Sequence, residues 1–185
     1  MTKLQKNFKT GKYNTTKQDY ILILFKIKNY ILNNHFFDFF LTAYPKDDNT
    51  NFTIKGKGTA SVLIITHFPE ESKEEDFTFM ANVLKAANLT PIDDKIFHLQ
   101  VQKQDVDISL ANIIRQLDVK NILIFGFKPQ HLGIRAHLTP YQFVELNNKH
   151  ILWGHSITTI REERAAKKNQ KAAALWQALK GRFLG

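Results

Sequence analysis

The spacing of apolar positions changes along the chain, and each change marks an element. Tyr20, Leu24, Ile27 and Ile31 fall at helical spacing, and Phe36, Phe37, Phe39 and Phe40 follow as an apolar patch, so an amphipathic helix is expected in this stretch. From Pro45 to Gly58 the composition turns to Asp, Asn, Thr and then Gly-Lys-Gly, which reads as a loop. A boundary is placed there: residues 1–58 form a basic N-terminal extension, and residues 59–185 form the main domain.

Beyond the boundary the period shifts. Ser61 to Thr66 (SVLIIT) is a short apolar run that suits a strand buried on both faces. Ser72 and Glu75 make an S-x-x-E capping box, and Phe77, Met80, Leu84 and Ala87 then recur at helical spacing. That helix should end near Asn88, with Pro91 just beyond, and Lys95 to Val101 reads as a second strand. Leu110, Ile113, Ile114 and Leu117 predict another helix, and Asn121 to Phe125 (NILIF) predicts a third strand ending at Gly126. Gln142 to Leu146 and His150 to Trp153 flank Asn147-Asn148 and predict a hairpin. A last helix is expected from about Ile160, with Ala172, Leu175, Trp176, Leu179 and Phe183 on one face. Alternating strands and helices argue a mainly parallel central sheet between helical layers, a three-layer αβα sandwich.

Composition narrows the chemistry. With 185 residues and 43% hydrophobic positions the chain can bury one core and is too short for two well-separated domains. Cysteine is absent, which removes disulfides, thiolate nucleophiles and sulfur-ligated zinc. Apolar runs such as Tyr20 to Phe25 and Ile122 to Phe127 stop far short of the roughly 20 residues of a membrane helix. Lysines break the early apolar stretch and no small-residue cleavage signal follows, so a cytoplasmic location without membrane contact is expected. On that reading the Asn-x-Thr triplets at Asn14, Asn51 and Asn88 are chance matches.

The charge is +9, with 26 Lys and Arg against 17 Asp and Glu, and it lies in blocks. Basic ends flank an acidic middle that includes Glu70, Glu71, Glu74, Glu75 and Asp76. Those five sit at a helix start, where the macrodipole favours negative charge. Arg161, Arg164, Lys167, Lys168 and Lys171 are the candidate contacts to DNA or a partner, although a solvated helix face is the preferred account of them, since no aromatic is interleaved with the charges.

Ligands of parallel sheets bind beyond the carboxyl ends of the strands. Three segments qualify as the rim of such a site: Thr66, His67, Phe68 and Pro69; Gly126 and Phe127; and Gly154, His155 and Ser156. His67 and His155 are candidate acid or base groups, with Ser156 as a donor, but no spacing fixes an acidic partner for either. His131 and His137, and His150 and His155, lack the spacing of zinc motifs, so no metal is expected. Gly56-Lys57-Gly58-Thr59 precedes its strand and misplaces its lysine for a phosphate loop, and no dinucleotide fingerprint occurs, so no cofactor is expected.

Three stretches carry a resemblance: SVLIITHFPEESKEEDFTFMANVLKAANL, NILIFGFKP and AALWQALKGRF, spanning roughly Ser61 to Gly185. In this order they resemble the uracil-DNA glycosylase-like fold and, within it, the family of psi accessory subunits of bacterial DNA polymerase III. In glycosylases of that fold the loop after the first strand carries a Gly-Gln-Asp-Pro-Tyr motif whose Asp handles the attacking water, and a later His-Pro-Ser loop supports the flipped base. Here the first loop reads Thr66-His67-Phe68-Pro69-Glu70, with Phe68 in the place of the Asp and Glu70 in that of the Tyr. The later loop reads Gly154-His155-Ser156-Ile157, without its proline. The resemblance therefore implies a non-catalytic protein-interaction subunit of the replication machinery, associated with the clamp loader, whose N-terminal stretch around Tyr20 to Leu41 is the tether. The alternative is a DNA-repair glycosylase-like enzyme with a divergent site at His67 and His155.

Overall fold

The computed structural model describes residues 52–103 and 107–185. The expected N-terminal helix and tether lie outside them. Six strands form one sheet: β1 (Phe52–Lys55), β2 (Val62–Thr66), β3 (Ile96–Val101), β4 (Asn121–Phe125), β5 (Phe143–Leu146) and β6 (Lys149–Gly154). Their order is β1-β3-β2-β4-β6-β5. The four central strands are parallel, while β1 pairs antiparallel with β3 and β5 antiparallel with β6. The sheet is thus mixed, which corrects the expectation of a mainly parallel one. The cause is local at one edge, where a two-residue turn returns β6 beside β5. At the other edge β1 comes from a stretch whose composition reads as loop.

Both faces of the sheet are covered. α1 (Lys73–Ala86), α4 (Ile157–Ala165) and α5 (Gln170–Phe183) bury Met80, Leu84, Ile160, Leu175 and Leu179 with Val62, Ile64, Leu123 and Leu152 on one face. On the other, α3 (Leu110–Gln116) and the segment carrying Leu132, Ile134 and Leu138 close over Leu63, Ile65, Ile122 and Ile124. β2 and β4 are buried at every position, which explains why their sequences are apolar without alternation. A short helical turn, α2 (Ile92–Lys95), leads into β3, replacing the first residue of the expected strand.

Local chemistry sets the boundaries. Asn88 adopts φ +60° after α1, and the amides of Asn88 and Leu89 bond back to the carbonyls of Lys85 and Leu84, closing the helix with a Schellman motif. Asn147 and Asn148 both have positive φ, the type I′ geometry that suits the twist of the hairpin. The single terminal helix expected from Ile160 is two helices, α4 and α5, because Lys167 turns to φ +60° between them. The Ser72 capping box is also corrected. Its hydroxyl makes no cap bond and instead donates to Asp76 Oδ2 at 2.7 Å. Among the described residues no helix is long and apolar enough to cross a membrane.

Candidate functional site

Because β2, β4 and β6 are parallel and near neighbours, their following loops lie along one edge of the sheet. The rim segments therefore do come together, and the side chains of Thr66, Phe68 and Phe127 turn inward. Thr66 is fully buried, with Oγ1 2.8 Å from His98 Nε2. Phe68 is 3% exposed and packs in the core under α1, its ring 5.9 Å from that of His98. Phe127 is equally buried in the opposite core, and Trp153 Nε1 donates to its carbonyl at 2.6 Å. Pro69 precedes a 3-10 turn, Glu70–Ser72, that leads into α1.

His67 is half-buried. Its Nδ1 lies 3.0 Å from the Val101 carbonyl, an acceptor, so Nδ1 is the donor in this bond. The ring meets Phe127 edge-on at 6.5 Å. His155 pairs elsewhere: its Nδ1 shares a 2.9 Å hydrogen bond with the Tyr141 hydroxyl, and the rings stack at 5.7 Å. Burial pushes Tyr141 up to about 12, so it stays protonated at neutral pH. No hydrogen bond links the two histidines among the described residues, and each is held by its own partner.

Gly126 and Ser156 meet closely. Gly126 has φ +80°, and a Cβ there would stand 3.1 Å from Ser156 Cβ. Its amide bonds to the Gly154 carbonyl at 3.3 Å. Ser156 caps α4 by accepting from the Thr159 amide at 3.1 Å. Its hydroxyl is thereby committed to the helix start.

The basic candidates divide. Arg161 is engaged by Asp76 at 2.7 Å and Glu75 at 2.6 Å, and the hydrogen bond to Asp76 raises its already high pKa further. Lys171 pairs with Glu163 and holds that carboxyl below its usual range. Arg164 stacks over the Phe79 ring at 5.9 Å. Lys167 and Lys168 are exposed at the break between α4 and α5. Arg161 and Lys171 thus act first within the fold, and an outward-facing basic patch reduces to Arg164, Lys167 and Lys168.

Two features escape the sequence reading. Asp76 is fully buried and accepts from Ser72, from Thr158 Oγ1 at 2.5 Å and from Arg161 Nε, tying α1 to α4. His98, 7% exposed, is held neutral because burial lowers its pKa to about 4. Among the described residues no three His, Asp or Glu side chains gather as metal ligands. No family model matches the chain, and no curated protein matches it.

Proposed function

We propose that this chain is a non-catalytic protein-interaction subunit of the DNA replication machinery, psi-like and associated with the clamp loader, on a uracil-DNA glycosylase-like fold. One observation carries the reading: Phe68, which the resemblance aligns with the water-activating Asp of the glycosylases, has its ring sunk in the core against His98. A buried phenyl ring activates no water. The one fully buried carboxylate among the described residues, Asp76, is occupied by Arg161, Ser72 and Thr158, so it does not substitute for the missing group. The parallel strand core with its loops on one edge supports the fold resemblance, and the basic patch at Arg164, Lys167 and Lys168 supports an acidic partner, DNA included.

The test is co-elution of the full chain with reconstituted clamp-loader proteins of its own cell in gel filtration. A joint peak is expected, and separate elution at micromolar concentrations refutes the proposal. The second reading, a nucleobase-excising repair enzyme, draws on His67, whose Nδ1 is fixed by the Val101 carbonyl while Nε2 takes no part in that bond. Release of uracil or hypoxanthine from DNA, abolished by His67→Ala, would establish that reading in place of the first.

A further inference from the structure

A cleft of about 750 Å³ opens beside the β2 loop, between the first turn of α1 and the sheet edge at β3 and β1. α1 packs against α4 and leaves Gln100, on the helix side of β3, partly exposed, while Ile96 and His98 on the same side are buried. His98 and Gln100 line its floor, with Phe68 and Phe77 along the α1 side. The Phe77 ring lies 6.2 Å from that of His98 and is 42% exposed, although the neighbouring positions Met80 and Leu84 on the same helix are buried.

His98 gives the cleft a polar demand. Nε2 is committed to Thr66, and no group among the described residues bonds to Nδ1. Whichever partner holds the shared proton, a nearly buried imidazole offers Nδ1 as a donor or an acceptor to whatever enters. The rim is acidic: Glu71, Glu74 and Asp93 line it and make no ion pair among the described residues, whereas Glu70 is tied to Lys73. Lys55 is the remaining cation. Such a rim repels phosphates and attracts cations.

We propose that this cleft docks a basic peptide segment of a partner protein, which inserts one aromatic side chain against Phe77 and His98 and sets its lysines or arginines on Glu71, Glu74 and Asp93. The carboxylates stand on separate elements, the approach to α1, α1 itself and α2, so a segment of chain meets them where one small cation does not. An exposed aromatic beside a nearly buried imidazole with one ring nitrogen facing no protein partner among the described residues, ringed by charge, has the make-up of an interface anchor pocket. The inference rests on the reading of the chain as an interaction subunit only in supposing a protein partner.

The test is a titration of the isotope-labelled full chain, followed by NMR, with end-blocked Lys-Trp-Lys and Glu-Trp-Glu. Lys-Trp-Lys is expected to shift the His98 and Gln100 signals saturably and to bind at least tenfold more tightly than Glu-Trp-Glu. Phe77→Ser and the double variant Glu71→Lys, Glu74→Lys should each weaken it at least tenfold. Both variants alter exposed side chains, and retained spectral dispersion shows that they fold. Absence of saturable shifts, equal affinity for the two peptides, indifference to the variants, or displacement of the peptide from these residues by oligothymidylate overturns the proposal. Co-elution with clamp-loader proteins alongside a failed peptide titration would leave the interaction subunit standing and move its docking face elsewhere.

Discussion

Replacing Asp76 by alanine tests the structural logic of the loop edge most directly. The carboxylate is inaccessible to solvent and accepts three hydrogen bonds, from Ser72 and Thr158 on Oδ2 and from Arg161 on Oδ1. Removing one partner of a buried ion pair typically costs about 3–5 kcal/mol, because the other charge is left uncompensated. Arg161 keeps Glu75 as a second partner and is 23% exposed, so it retains some compensation, which places Asp76→Ala near the low end, at about 3 kcal/mol. Asp76→Asn preserves the shape. Its amide oxygen faces Arg161, and the hydroxyls of Ser72 and Thr158 rotate to accept from the amide nitrogen, so the cost falls to about 1–2 kcal/mol. Urea unfolding followed by circular dichroism measures both, with the change read from the midpoint at constant slope. If Asp76→Ala lies within about 0.5 kcal/mol of the parent, the carboxylate is not a structural tie and the reasoning fails.

Three further outcomes follow from individual side chains. Burial lowers the pKa of His98 to about 4 in the folded chain against 6.5 for an unperturbed histidine, so between those values the unfolded state binds more protons. Its contribution is complete above pH 6.5 and is lost as pH falls toward 4, about 3 kcal/mol in all; His98→Gln should flatten that part of a urea stability profile, and an unchanged profile contradicts the assignment. Gly126→Ala forces a side chain into φ +80° against Ser156 and should cost at least about 1 kcal/mol in thermal or urea unfolding, with an unchanged midpoint counting against the close packing. Asn148→Gly keeps the type I′ turn and removes the strain of a side chain at φ +58°, so it should raise stability by a few tenths of a kcal/mol, and destabilisation would contradict the turn geometry.

Legibility in the sequence follows from whether a signal is local. β2 and β4 are visible because burial on both faces requires unbroken apolar runs, and the hairpin because Asn147-Asn148 satisfies a turn that needs two positive φ angles. β1 has four residues, three of them exposed, and joins the sheet by pairing with residues more than forty positions away, which no local pattern records. The break between α4 and α5 depends on one lysine in a left-handed conformation, which the surrounding run of lysines and alanines conceals.

The candidate site shows the same limit at single-residue resolution. Along α1 both Phe77, Met80, Leu84, Ala87 and Asp76, Met80, Leu84, Ala87 keep helical spacing, and apolarity alone selects the first set. The fold selects the second: Asp76 is buried and Phe77 is 42% exposed. A carboxylate takes the inward position only because Arg161, on a helix eighty-five residues further along the chain, arrives to meet it, and that arrival is invisible from either end of the sequence.

These two placements are coupled, and together they redistribute where the molecule is open. Turning Asp76 inward draws α4 onto the start of α1 and binds the β2 and β6 loops into one cross-linked edge. The same rotation of the helix carries Phe77 toward β3, where it stands beside His98 at the mouth of the cleft. In parallel sheets the carboxyl edge is the usual ligand crevice because loops diverge there. Here those loops are tied together and Phe68 and Phe127 are packed into the cores, whereas Phe77 stands exposed beside His98 one strand over, at the sheet's flank. Asp76→Ala should accordingly perturb the Phe77 and His98 signals along with stability, whereas Gly126→Ala, acting on the β4 loop, should leave them in place.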